Sequence, residues 1–115
     1  MGEGRVLEAD LQRAIIAWLR RSGIEYWRMP LGPVIHGGGR KWGENPLKGF
    51  PDLAGLLQRE QPGRFWAIEI KSETGRVSPE QAAWILRLKY GGAAVTVVKS
   101  LAEVEHFFRG LGEID

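Results

Sequence analysis

The sequence predicts an α/β fold in which a small mixed β-sheet is flanked by helices, in the order helix, three strands, helix, strand, helix. Three observations predict it. Apolar residues recur at helical spacing over residues 7–22, and side chains alternate between faces through F-W-A-I-E-I-K at 65–71. A helix start at Ser78-Pro79-Glu80-Gln81 then precedes a continuous apolar, β-branched run at 94–99.

The first helix is expected over residues 7–22, where Leu7, Leu11, Ala14, Ile15, Trp18, Leu19 and Ser22 share one face and Gly23 stops it. Residues 24–29 suit a short strand closed by Pro30. Residues 30–51 are crowded with Gly32, Pro33, Gly37 to Gly39, Gly43, Pro46 and Gly49, so they read as a long loop. A loop of that length in a small domain is commonly functional. Two strands follow, at 52–57 and 65–71, joined through Gln61-Pro62-Gly63 as an antiparallel pair.

Ser at the cap, Pro at the first helical position and Gln at the third begin the second helix, which runs to about Tyr90 and ends at Gly91-Gly92. It crosses over to the buried strand at 94–99, and the crossover should be right-handed. Ser100 with Glu103 forms another capping box, and the last helix buries Leu101, Val104, Phe107, Phe108 and Leu111. No linker or repeat interrupts the chain, so residues 1–115 read as one domain, of a size able to build its own core.

Composition excludes several functions. With no cysteine there is no disulfide scaffold, no Cys-based zinc site and no thiol catalysis. No apolar run approaches the roughly 20 residues needed to span a bilayer. The first ten residues lack a basic segment followed by an apolar one, so no signal peptide is expected, and a reducing cytoplasm fits. Net charge is only +2, but Arg28, Arg40, Lys41, Lys48, Lys71 and Arg76 gather in the middle of the chain, where they could contact phosphates. A mixed solvated surface would explain the same charges.

The chemistry centres on Phe65 to Lys71. Trp66, Ile68 and Ile70 should point to one face; Phe65, Ala67, Glu69 and Lys71 should point to the other. Glu69 and Lys71 are then neighbours, roughly 6–7 Å apart along the strand. Alone, E-x-K is most simply an exposed ion pair. Gly49-Phe50-Pro51-Asp52 adds a second acid, set by a proline at the start of the preceding strand. If the two strands pair, Asp52 lies near Glu69. Two close carboxylates repel unless a hard cation sits between them. Mg²⁺ suits such a pair, supplemented by the Ile70 backbone carbonyl and waters, while Lys71 could orient an attacking water or offset phosphate charge.

Two further residues bear on this site. At about 100° per residue, Glu8 falls inside the apolar arc of the first helix, between Ile15 and Leu19. It either reaches toward the sheet and assists the metal, or simply occupies a first helical turn, where acids are favoured. Gln81 shares a helix face with Trp84, Ile85 and Leu88; its capping role with Ser78 explains it, and an inward site role is the alternative. In the loop, Arg40, Lys41 and Lys48 could contact phosphates and Trp42 could stack on a base or wedge a branch. A surface loop or a dimer contact is the plain reading of the same residues. The glycines do not make a P-loop, and His36 and His106 are isolated.

Together these residues resemble the PD-(D/E)XK nuclease superfamily, and within it the VRR-NUC (virus-type replication-repair nuclease) branch. The resemblance spans nearly the whole chain. It rests on a first helix carrying Glu8 and Gln12, on G-F-P-D at 49–52, on E-I-K at 69–71, and on S-P-E-Q at 78–81 followed by Trp84. It implies a restriction-endonuclease-like core and a metal-dependent phosphodiesterase acting on DNA. It carries over Asp52, Glu69 and Lys71 as the catalytic core, with Glu8 and Gln81 in support. From the residues themselves, Asp52, Glu69, the Ile70 carbonyl and Glu8 are the expected ligands of Mg²⁺ or Mn²⁺, and Arg40, Lys41, Trp42, Lys48 and Arg76 the expected contacts to DNA. The resemblance also implies a homodimer resembling Holliday-junction resolvases, acting on branched or otherwise structured DNA. The competing expectations are a restriction-like, sequence-specific nuclease, a DNA-binding module without catalysis, and an assembly protein with a coincidental motif.

Overall fold

The computed structural model describes residues 7–29, 46–59 and 63–115. The elements follow the expected order: α1 (Glu8–Ser22), β1 (Trp27–Arg28), β2 (Leu53–Leu56), β3 (Phe65–Ile70), α2 (Pro79–Tyr90), β4 (Ala94–Val98) and α3 (Leu101–Gly110). They build one mixed sheet in the order β1-β2-β3-β4, with antiparallel pairs β1–β2 and β2–β3 and a parallel pair β3–β4 joined through α2. Among the described residues no helix is long and apolar enough to cross a membrane.

Helix α1 starts one residue later than its apolar pattern suggests, because Leu7 is extended and acts as the cap. Gly23 ends it in the left-handed region at φ 72°, and the Gly23 and Ile24 N–H groups donate back to Arg20 and Leu19. Strand β1 is far shorter than the expected 24–29. Ile24 is taken into the core beneath α1, and ladder pairing is confined to Trp27 and Arg28, opposite Ala54 and Leu53. The Met29 N–H still donates to the Asp52 carbonyl (3.1 Å), extending the pairing to the start of β2.

Alternation along β3 sorts the molecule into two layers. Trp66, Ile68 and Ile70 join Leu11, Ile15 and Leu19 of α1 and Val104 and Phe108 of α3 in the larger core. Burying such side chains is worth roughly 1.5–3 kcal/mol each. Trp66 and Trp18 both pack on Phe108, at 5.0 Å and 5.9 Å between ring centroids. On the opposite face Ala67 meets Phe50, Ala54 and Val95 under Trp84, Ile85 and Leu88 of α2. Close approach in the first layer demands Gly55: a Cβ there would lie 2.7 Å from the Trp66 indole and 2.3 Å from the Glu25 carbonyl. No residue of α2 is fully buried, so this helix is a half-submerged lid over the face that carries Glu69.

Candidate active site

Strand register brings the two predicted acids together. Leu53 pairs with Ile68 across β2 and β3, and one step further along the same antiparallel register places Asp52 opposite Glu69. Asp52 is held there by a hydrogen bond: the Ile70 N–H donates to its Oδ2 at 2.7 Å. In a strand the N–H and C=O of one residue face the same neighbour, so the Ile70 carbonyl is also directed to the Asp52 side. Pro51 is buried just ahead, and Gly49 makes the turn at φ 89°. A Cβ on Gly49 would come within 2.7 Å of the Glu80 backbone, so the approach to Asp52 is packed directly against the start of α2.

Glu69 is not the exposed partner of a surface ion pair. It is 1 % exposed, covered by α2. Its Oε2 accepts from Gln81 Nε2 at 2.9 Å and lies 3.4 Å from Lys71 Nζ, whose side chain is itself largely buried. Its Oε1 is buried and has no hydrogen-bond partner among the described residues. Such an atom is costly in a protein interior. The electrostatics record the cost. Burial, and then the Asp52 charge opposite, push the Glu69 carboxyl up to about 7, against the opposing pull of Lys71. Burial also raises Asp52, although the Ile70 N–H opposes it; Glu8 adds to the rise and Lys71 reduces it.

Gln81 caps α2 and also turns its amide inward to Glu69. Its Oε1 accepts from the Ser78 N–H at 2.9 Å, while its own N–H donates to Ser78 Oγ at 3.1 Å. The capping box therefore fixes the amide with its carbonyl toward the cap, leaving the NH₂ to face Glu69. Glu8 lies in the exposed first turn of α1, yet its Oε2 accepts from the Ser72 N–H at 3.3 Å. It thus tethers α1 to the end of β3 from the edge of the site, where the wheel placed it toward the interior. Among the described residues no three His, Cys, Asp or Glu side chains are grouped to hold one ion. The arrangement is a carboxylate pair with Glu8 beyond it.

Of the expected DNA contacts, Lys48 and Arg76 are exposed. Arg40, Lys41 and Trp42 lie outside the described residues, as does His36. Sequence reading gave no part to Ser72, the partner of Glu8, or to the Ile70 amide, which holds Asp52. The signal for both was present: each belongs to or directly follows the strand whose alternation singled out Glu69 and Lys71.

Chemically, two paired acids of raised proton affinity, one with an orphaned oxygen, suit a hard divalent cation. Such an ion accepts one or two carboxylates and keeps several waters. It would partner the unsatisfied oxygen and relieve the repulsion that raises both groups. Comparison with known proteins gives one match: the family model described as VRR-NUC domain matches residues 41–102. No curated protein and no solved structure matches the chain.

Proposed function

The chain belongs to the VRR-NUC family of nuclease domains, and from that premise we propose that it is a Mg²⁺- or Mn²⁺-dependent endodeoxyribonuclease whose working centre is Asp52, Glu69 and Lys71. The observation that carries this reading is the orphaned Glu69 Oε1 beside Asp52. A structural acid would be satisfied by its neighbours; no described residue donates to this oxygen, which leaves room for a cation beside Asp52.

Asp52 and Glu69 would hold the cation, with the Ile70 carbonyl on the same side and Glu8 as an outer contributor. When bound, such an ion lowers the pKa of coordinated water and stabilises charge on phosphate oxygens. The chain's own groups do the rest. Lys71 lies beside Glu69, and its ammonium would orient an attacking water or face the scissile phosphate. Gln81 donates to Glu69 Oε2 and keeps its carboxylate plane fixed, directing Oε1 away from the helix cap. Lys48 and Arg76, both exposed, would neutralise phosphates, the sequence-independent part of DNA affinity.

We extend the proposal to substrate and assembly. We favour selection of branched or otherwise structured DNA over reading of a base sequence, and a homodimer would present two such centres symmetrically. Work in the cytoplasm is consistent with the absence of cysteine.

The test is incubation with four-way, flap, linear and single-stranded DNA in Mg²⁺, Mn²⁺ or EDTA. Metal-dependent cleavage is expected, abolished by Asp52→Ala and by Glu69→Ala with DNA binding largely retained. Binding without cleavage under either metal would instead identify a non-catalytic DNA-binding module. Light scattering with and without DNA reports the assembly, and a monomer under both conditions would remove the dimer.

A further inference from the structure

The α2 face of the sheet carries a second feature, at the other end from the carboxylate pair. A cleft of about 570 Å³ opens where α2 ends, with Phe50, Phe65, Leu88 and Ala93 as its apolar floor and Arg64 and Arg87 at its rim. Its size falls within the several hundred Å³ usual for small-molecule sites. The floor is rigid: Phe50 packs edge-on against Phe65 at 6.4 Å and against Trp84 at 5.0 Å. The rim is placed as well. Arg64 Nε donates to the Gly92 carbonyl at 2.9 Å, and the Arg87 guanidinium stacks 4.4 Å over the Trp84 ring. Arg87 also lines a smaller adjoining cleft with Lys48 and Trp84. Lys48, Arg87 and Arg64 therefore border two neighbouring clefts, in which Glu80 is the one acidic lining residue among the described residues.

We propose that this cleft is a nucleotide subsite, taking one unstacked nucleotide of the DNA strand whose backbone is bound at Asp52 and Glu69; the proposal rests on the nuclease reading above. An apolar floor alone would suit many ligands. A planar apolar group joined to an anion is what an aromatic floor rimmed by guanidinium groups selects, since bases stack on aromatic and apolar side chains and arginine forks onto phosphate. Position argues the same way. Phe65 and Glu69 lie on one face of β3, four residues or about 13 Å apart, a few nucleotide steps along a strand. The subsite would favour DNA with an unpaired segment beside the cut, because a paired base cannot enter.

Gly91 lines the cleft at an ordinary φ of −79°, and a Cβ there meets nothing closer than the Arg87 carbonyl at 3.4 Å. Gly91→Phe can therefore fill the cleft without backbone strain. The experiment measures fluorescence anisotropy in EDTA with a blunt duplex and with the same duplex bearing a short single-stranded tail. Wild type should prefer the tailed duplex. Gly91→Phe and the double variant Arg64→Gln/Arg87→Gln should each lose roughly tenfold in affinity for it, with melting curves by circular dichroism confirming that both fold. For Gly91→Phe the blunt duplex should bind as to wild type. Three results would each overturn the subsite: no tail preference in wild type, wild-type affinity in Gly91→Phe, or equal weakening on both DNAs. None of them touches the nuclease reading, which stands or falls on metal-dependent cleavage by wild type and its loss in Asp52→Ala.

Discussion

Replacing Glu69 with glutamine should make the metal-free protein more stable at alkaline pH, and by an amount that the site itself sets. The Glu69 carboxyl is raised from 4.5 to about 7. Between those values the folded chain holds a proton that the unfolded chain has released, so stability falls as pH rises through that window. Below 4.5 both states are protonated and nothing is lost; above 7 the full cost applies. At about 1.4 kcal/mol per pH unit, the cost is under about 1 kcal/mol at pH 5 and about 3 kcal/mol at pH 8.5. Glutamine keeps the shape, can accept from Gln81, and does not ionise. Loss of the Lys71 contact at 3.4 Å opposes the gain but does not cancel it, because Lys71 also faces the Asp52 charge. Urea unfolding in EDTA at the two pH values measures the difference. Glu69→Gln should match wild type within about 1 kcal/mol at pH 5 and exceed it by up to about 3 kcal/mol at pH 8.5. Adding Mn²⁺ should then close most of the gap: at a hundred times its Kd a bound ion stabilises wild type by about 2.7 kcal/mol, while the variant should respond little. A variant that is no more stable than wild type at pH 8.5, or a difference that ignores pH, would refute the burial argument.

Three further substitutions test how the site is held. Ser78→Ala and Ser100→Ala each remove a helix cap, from α2 and α3 respectively, and each should cost about 1 kcal/mol in urea unfolding. Only the first loosens Gln81 beneath Glu69, so cleavage should fall severalfold in Ser78→Ala and hold in Ser100→Ala; equal rates would uncouple the cap from the site. Gly49→Ala combines a positive φ of 89° with a Cβ 2.7 Å from Glu80 backbone. It should lose more than about 2 kcal/mol in the same assay, and a near-neutral result would mean that the turn yields easily.

Much of this was legible in the sequence because it rests on local rules. The capping box, the Gly23 stop and the alternation of Trp66, Ile68 and Ile70 against Ala67 and Glu69 each follow from spacing within a few residues, and the structure has all of them. What spacing could not give was depth. Alternation put Glu69 on a face, but only the position of α2 decides whether that face is wet, and here it is not. The helical wheel gave the direction of Glu8 but not its exposure: the side chain reaches the Ser72 amide just past β3 and acts on Asp52, while the residue itself stays exposed in the first turn of α1. Strand β1 was overestimated because composition cannot tell a pairing residue from Ile24, which turns into the core. The cleft at Arg64 and Arg87 left no local signal, since its walls come from four separated segments.

These differences bear on how a small domain holds an unfavourable pair of acids. A native fold commonly has only 5–15 kcal/mol in hand, so an acid costing about 3 kcal/mol at alkaline pH is a large fraction of it. The chain confines that cost to one side of the sheet. Trp66, Ile68 and Ile70, on the same six-residue strand as Glu69, are fully enclosed by α1 and α3, so the larger core is insulated from the charge by the sheet itself. On the charged side the cover is α2, a helix with no fully buried residue, anchored near the site by a cap and a single amide. The consequence is a division of labour: changes to the α1–α3 layer should act chiefly on stability, and changes to the α2 layer chiefly on the site. A scan in which α2-layer variants and α1–α3-layer variants lose cleavage and stability in equal proportion would contradict that division.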